Sequence, residues 1–503
     1  MFCSSPGRVS AYLGLVLALY SGGCTRKPAG EVRRIAVLRF ENLTSEPALE
    51  WMGRGLAEAV RAGLSGDAGT YAISFNTLHS LDKALGPQPV AAPGIAAEAQ
   101  QALASGATRI VTGQYSLVRG TLRADVVERN LATGRTSLAF SESVPLREGA
   151  VSLAARIARR LSDTPRPPAT RSDEALRQYA LTFESPDPAA RERALEQAVA
   201  ADPGFGPAWT AAVELAVARR DRAAAARWLA RARAQRTRLA EFDRARLDLL
   251  ASMFDGDPSR QAQALATMSR LAPADPTIAR SLAQVALQQR RYPDALAAFR
   301  KALEIEPENI ETLNSMGYAS AVAGDLDSAT QALRRYAQLR PRDANPLDSL
   351  GDVHLYLGKL AEAEQNYLQA HQKSPAFLDG ATLLKAAHTR LMTGEIGQAD
   401  ALFAKYRAER AAARDPLLLL REAEWSWACG RRREGLARLA EVAARFESGP
   451  LRDLAAEAYA ELVFWDLELG NRDAARVHAA KAVAAAGPAS AGAARVAHFL
   501  AQP

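Results

Sequence analysis

Residues 292–309, YPDALAAFRKALEIEPEN, return in altered form as LDSATQALRRYAQLRPRD at 326–343 and LAEAEQNYLQAHQKSPAF at 360–377. Ala295, Ala329 and Ala363 therefore stand 34 residues apart, and their surroundings keep the same interval. Gly317 and Gly351 follow Ala283 at that period, Leu333 and Tyr367 follow Phe299, and Pro341 and Pro375 follow Pro307. Small residues let two helices approach, the ring or leucine fills the neighbouring groove, and the proline stops the second helix. A pattern of this length and period is that of a helix–turn–helix array. One unit cannot bury its apolar face alone, so units stack and leave a long curved surface on one side.

Walked backwards, the template finds Gly256, Leu265 and Pro273 in a unit near 242–275, then Trp209, Val213, Ala225 and Leu229 near 206–239, and a degenerate unit near 172–205. Walked forwards it passes Gly394, Ala399, Phe403 and Tyr406, then Gly430, Gly435 and Leu439, then Gly470, Ala475 and Ala479, with small insertions. The expectation is an all-α superhelix over 172–489 with about nine helical pairs. Across 276–375 these residues resemble tetratricopeptide repeats. In that family the first helix of each pair lines a concave groove. Transferred to this register, the rule places Arg280, Gln284, Asn314, Tyr318, Asp348, Asp352, His388, Glu424 and Trp427 in the groove. A mixed polar surface with aromatic anchors suits an extended peptide or partner helix, although plain solvent exposure explains any one of these residues equally well. The lysine–asparagine set with which some such repeats clamp a terminal carboxylate is absent from the register.

The chain before the array has a different grammar. RRIAVLRFEN at 33–42 is a β-branched run bounded by an Asn turn, and reads as a strand. Leu49, Met52, Leu56, Val60 and Leu64 have helical spacing, with Ser45 placed as the cap. A short strand over 70–75 and a helix over 95–103 follow. Three strands over 109–117, 121–129 and 135–144, joined by Arg119–Gly120 and Thr133–Gly134 turns, lead to an amphipathic helix at 149–161. The order is that of a mixed-sheet α/β domain. Its opening, through Phe40, Asn42, Leu43, Pro47, Glu50, Gly55, Leu56 and Glu58, and its later stretch, through Gly113, Gly120, Leu122, Arg123, Asn130 and Gly134, resemble the TolB amino-terminal-like domain over 32–163. Arg39 departs from the proline usual there. The resemblance transfers no catalytic residues, and the matched positions read as turn glycines, caps and core. TPRPPATR at 164–171 is expected to be a stiff extended linker between the two domains.

At the amino terminus Arg8 precedes an apolar run, Ala11–Tyr20, followed by Ser21, Gly22, Gly23 and Cys24. This is the layout of a secretory signal peptide over 1–24, too short to span a bilayer. The cysteine after two glycines resembles a bacterial lipobox, with Ser21 where that family prefers leucine; an ordinary secretion signal is the alternative. Lipidation of Cys24 implies a tether with no spanning helix. Thr25, in place of the aspartate that marks inner-membrane retention, implies the periplasmic side of the outer membrane.

The 503 residues carry a net charge of +7, which invites a nucleic-acid reading. Arginine far outnumbers lysine beside abundant alanine and glycine, a mark of genomic base composition, and an exported protein meets no DNA. The most basic stretch, Arg219–Arg238, sets eight arginines against Asp221, with Arg227, Arg231 and Arg238 able to share a helix face. Either a solvated face or contact with anionic lipid or an acidic polymer fits it. Of three cysteines only Cys429 remains in the folded body, among Trp425, Trp427 and Ala428, where it reads as a structural thiol.

Chemistry is absent from the motifs. There is no Gly-rich phosphate loop and no nucleophile elbow, and His79, His354, His371, His388, His478 and His498 are scattered without metal-site spacing. No catalytic residue, metal site or cofactor is expected. The leading expectation is a non-enzymatic, lipid-anchored scaffold of the bacterial cell envelope that binds a protein or peptide in the groove. The alternative is a ligand-sensing or regulatory module acting through the α/β domain. An enzyme acting on cell-wall glycan would need paired carboxylates in a cleft, which the sequence does not offer.

Overall fold

A computed structural model describes residues 32–79, 98–448, 451–487 and 489–502. The signal segment, Cys24 and the beginning of the helix expected at 95–103 lie outside the described residues. The chain divides into two compact units between Phe183 and Glu184.

In the first unit the strand expected over 33–42 is two strands, β1 (Arg33–Val37) and β2 (Glu41–Asn42). They are followed by α1 (Met52–Leu64), β3 (Thr70–Ala72), α2 (Phe75–Leu78) and α3 (Ala99–Ala104). Then come β4 (Arg109–Val118), β5 (Thr121–Asn130), β6 (Thr136–Pro145), α4 (Gly149–Leu161) and α5 (Asp173–Glu184). The sheet runs β3-β1-β4-β5-β6, with β2 also on β4; β1 is parallel to β3 and β4, and β4, β5 and β6 form an antiparallel meander. Phe40 explains the break between β1 and β2. Its ring lies across β4 at Gly113, where a Cβ would stand 2.2 Å from Phe40 Cε1. Gly113 is thus a close-approach glycine and not the turn glycine the motif suggested. Leu56, Val60 and Leu64 of α1 and Leu153 and Ile157 of α4 bury against Ile35, Val37, Val111 and Tyr115.

Ser45 does not cap α1. Pro47 forces Glu46 into an extended conformation and opens a 3-10 turn, Pro47–Leu49, before the α-helix starts at Met52. Asn42 organises the approach instead, accepting from the Thr44 N–H at 2.8 Å and donating to Glu50 Oε2 at 2.9 Å. Beyond α2, buried Glu98 accepts from the Arg39 N–H at 2.9 Å, lies 3.0 Å from His79 Nε2 and pairs with Arg54. Burial alone would raise its pKa, but His79 and Arg54 outweigh burial and bring it down to about 2.

The proline-rich stretch is not a free spacer. The Arg166 N–H donates to Gly63 O at 2.8 Å, and Ser172 caps α5. Asp173 then accepts from the Ala150 and Val151 N–H groups at 2.8 and 3.0 Å, closing the start of α4. Leu176 and Ala180 join the core of the first unit. The helix expected to open the array therefore packs with the α/β unit, because its apolar face and its first acid both have partners there.

The second unit begins with α6 (Pro188–Ala201) and continues as hairpins: α7 (Gly206–Ala218) with α8 (Arg222–Ala234), α9 (Glu241–Asp255) with α10 (Pro258–Leu271), and α11 (Pro276–Gln288) with α12 (Tyr292–Ile305). They continue with α13 (Ile310–Val322) and α14 (Leu326–Leu339), α15 (Asn345–Tyr356) and α16 (Leu360–Lys373), then α17 (Ala381–Met392) and α18 (Ile396–Ala412). Last are α19 (Leu418–Ala428) and α20 (Arg432–Arg445), α21 (Arg452–Glu468) and α22 (Arg472–Ala485), and α23 (Ala491–Leu500). Helices α12, α14 and α16 all stop two residues before Pro307, Pro341 and Pro375. Ala295, Ala329 and Ala363 are fully buried. Small clusters bridge successive hairpins, as where Ala329 and Leu333 meet Leu350 and Val353. This is the nearest-neighbour packing of a stacked array.

Candidate functional site

The first helices of three successive hairpins, α13, α15 and α17, are joined by one polar network. Tyr318 of α13 donates to Asp352 Oδ2 of α15 at 2.8 Å and lies 3.2 Å from Ser349 Oγ. Lys385 of α17 donates to Asp352 Oδ1 at 2.8 Å and to both oxygens of Asp348 at 2.9 Å. Tyr367 of α16 reaches the same Asp352 Oδ1 at 2.8 Å, its ring held against α15 where a Cβ on Gly351 would come within 2.4 Å.

The electrostatics follow from partial burial. Desolvation would lower the Lys385 pKa, but hydrogen bonds to Asp352 and Asp348 outweigh it and hold the ammonium above its ordinary value. Burial pushes the Asp348 carboxyl up despite Lys385. Burial, with the Asp352 charge nearby, pushes the Tyr318 and Tyr367 phenols far up, so both remain hydrogen-bond donors. One ammonium against two carboxylates leaves the network with an excess of negative charge.

A second cluster lies further along the row. His388 of α17 sits edge-on to Trp425, with ring centroids 5.1 Å apart, and burial, then Arg421, lowers its pKa. Arg421 pairs with Glu424 at 2.7 Å. Glu461 of α21 is pushed up by burial and by the neighbouring Glu424 charge.

Residues 276–309, the hairpin of α11 and α12, match the family model described as the tetratricopeptide repeat. This hairpin is a tetratricopeptide repeat. Among solved structures, the chain is similar to a tetratricopeptide repeat protein from Parabacteroides merdae, at 18% identity over 52% of this chain and 98% of that one, TM-score 0.36. It is also similar to PilW, a type IV pilus biogenesis factor, at 15% identity over 42% and 99%, TM-score 0.37. A MamA fragment from Desulfovibrio magneticus is similar at 16% identity over 34% and 96%, TM-score 0.30. Likenesses this distant lend no partner to this chain. No curated protein sequence matches it significantly.

Set on the repeat frame, the residues read from the sequence separate into three groups. Tyr318, Asp348 and Asp352 come together in the network, and His388 and Glu424 meet around Arg421. Arg280 is committed to Glu306 at the end of α12, Gln284 is exposed, and Asn314 Oδ1 is enclosed with no hydrogen bond among the described residues. Trp427 is not a groove anchor. It is 8% exposed, stacked on Trp465 at 4.3 Å and covered by Arg432 at 4.2 Å. It falls on the flank of α19 that faces α21, and Gly435 lets α20 close against its backbone.

The network also contains residues the sequence reading missed. Lys385 occupies the position equivalent to Ser349, which the groove rule did not select, three residues before His388, which it did. Tyr367 was recognised for its ring but not for its hydroxyl.

Three of the eight arginines of the basic stretch are ion-paired inside the array. Arg219 pairs with Glu192 at 2.7 Å, Arg231 with Glu196 at 2.6 Å, and Arg236 with Asp248 at 2.7 Å. Arg231 also lies 4.4 Å over the Trp228 ring, so it does not share an open face with Arg227 and Arg238. Cys429 is half-buried, with burial raising its pKa, as suits a structural thiol.

Proposed function

We propose that the protein is a non-enzymatic scaffold of the bacterial cell envelope, lipid-anchored through Cys24, which binds a partner protein or peptide along the first helices of its tetratricopeptide repeats. In this reading the first unit is a TolB amino-terminal-like domain near the membrane and the repeats recruit the partner. One observation carries it. The Tyr318–Asp352–Lys385–Asp348 network fixes a polar surface across three repeats, and rigid, partly desolvated polar groups in a row suit the main chain and side chains of an extended segment. The negative excess there, continued by Glu424 and Glu461, favours a segment carrying lysine or arginine.

The test is photo-crosslinking in cells, with the crosslinking residue at exposed Gln284 followed by mass spectrometry. The reading requires a recurrent envelope protein whose yield falls when Asp352 is replaced by asparagine. Crosslinks that are absent, or unchanged by that replacement, would sink it. Labelling with a radioactive fatty acid, lost in Cys24→Ser, tests the anchor separately.

A further inference from the structure

The array also has a groove in an earlier hairpin, away from the Tyr318–Asp352–Lys385 network, and it does not depend on the scaffold reading. It runs between the 3-10 turn Arg236–Arg238 and the hairpin of α9 and α10, with a volume of about 510 Å3. That is the size of a small-molecule site. Arg236, Arg244 and Arg260 line it together with Asp248, Gln263 and Thr267, over a floor of alanines.

All but one of the arginines lining the groove are held by a carboxylate. Asp248 holds Arg236 through two bonds of 2.7 and 2.8 Å. Glu241, at the rim, holds Arg270. Arg260 is held by Asp257 at 2.7 Å and by Asp255 at 3.3 Å. Arg244 is the exception. Half-buried on α9, it donates from Nη1 to Leu239 O at 2.9 Å and has no carboxylate partner among the described residues. Both acids lining the groove already have an arginine, so Arg244 keeps guanidinium donors that no carboxylate takes up.

A guanidinium is a planar fork that suits two oxygens of a carboxylate or phosphate, and its bonds strengthen where water is partly excluded. The Gln263 amide offers a further donor from α10. We propose that this groove binds a small molecule bearing an oxyanion, with Arg244 as the anchor of that group. A carboxylate and a phosphate share the chemistry, and the two are separable by experiment.

The full chain would be titrated calorimetrically at low ionic strength with sodium citrate and, separately, with sodium phosphate. Saturable binding of at least one probe is expected, weakened at least tenfold in Arg244→Gln. Gln263→Glu adds a negative charge through an exposed side chain and leaves the main-chain carbonyl that accepts from Thr267 in place, and should weaken binding comparably even if Arg244→Gln disturbs the fold. Arg227→Ala, on exposed α8 surface outside the groove, should leave binding unchanged. Citrate alone would identify a carboxylate ligand, phosphate alone a phosphoryl ligand, and both an oxyanion site in general. No saturable binding by either probe, or binding that survives both groove variants, or equal loss in Arg227→Ala, would overturn the proposal.

Discussion

Tyr318 and Asp352 occupy positions 34 residues apart, and the hydroxyl of the first donates to the carboxylate of the second at 2.8 Å. One repeat period thus becomes one hydrogen bond. The bond joins consecutive first helices directly, and Lys385 extends the link to a third. The row is therefore cross-braced on its polar side as well as packed on its apolar side.

Asp352→Asn should loosen that bracing. Three donors lose a charged acceptor, and Lys385 keeps only Asp348. The partial exposure of the site limits the cost to about 1–3 kcal/mol. Urea unfolding followed by circular dichroism should show an earlier transition, and hydrogen exchange should quicken in α13, α15 and α17 before distant repeats. Uniform exchange rates relative to the parent would contradict the bracing.

Gly351→Ala should cost about 1–3 kcal/mol through overpacking, since the added methyl meets the Tyr367 ring, whose hydroxyl is tied to Asp352. Gly492→Ala, with nothing within 4 Å of the new methyl, should be neutral or slightly stabilising. Melting temperatures of the two variants provide the comparison.

Trp427→Ala should behave as a core truncation. Losing the stack on Trp465 in a buried position costs about 3–5 kcal/mol. The near-ultraviolet circular dichroism of the carboxy-terminal repeats should weaken. A variant that kept its stability and lost only partner binding would restore Trp427 to the groove.

The first unit should carry an acid-sensitive element at Glu98. Its folded pKa, about 2, lies below the ordinary 4.5, so its contribution is fully present above about 4.5 and is lost as pH falls toward 2. The size is on the order of 3 kcal/mol, from the shift between those values. Stability measured by denaturant at a series of pH values should fall across that window, and Glu98→Gln should flatten the fall while lowering stability at neutral pH.

The periodic part of the fold was legible because 34-residue spacing constrains backbone packing, and backbone packing is what small residues and prolines report. The α4 helix was read at its observed bounds, Gly149–Leu161, because its apolar residues recur at helical spacing. Side-chain direction was harder. Each residue turns a helix by about a quarter circle, so Trp427 passed for a groove residue while belonging to a flank. Lys385 stood at a helix position that the groove rule did not select, although His388 on the same helix was read in register. Ser45 had the right chemistry for a cap, and a neighbouring proline moved the helix away from it. The helix α5 fitted the period of the array, but Asp173 and Leu176 had partners elsewhere that no spacing could reveal.

The attachment of Asp173 to the start of α4 sets where this chain can be cut. A fragment ended at the proline-rich stretch would leave two backbone amides without their carboxylate and expose the pocket that Leu176 fills. Such a product should be recovered as aggregate, whereas a fragment carried through Glu184 keeps its own lid.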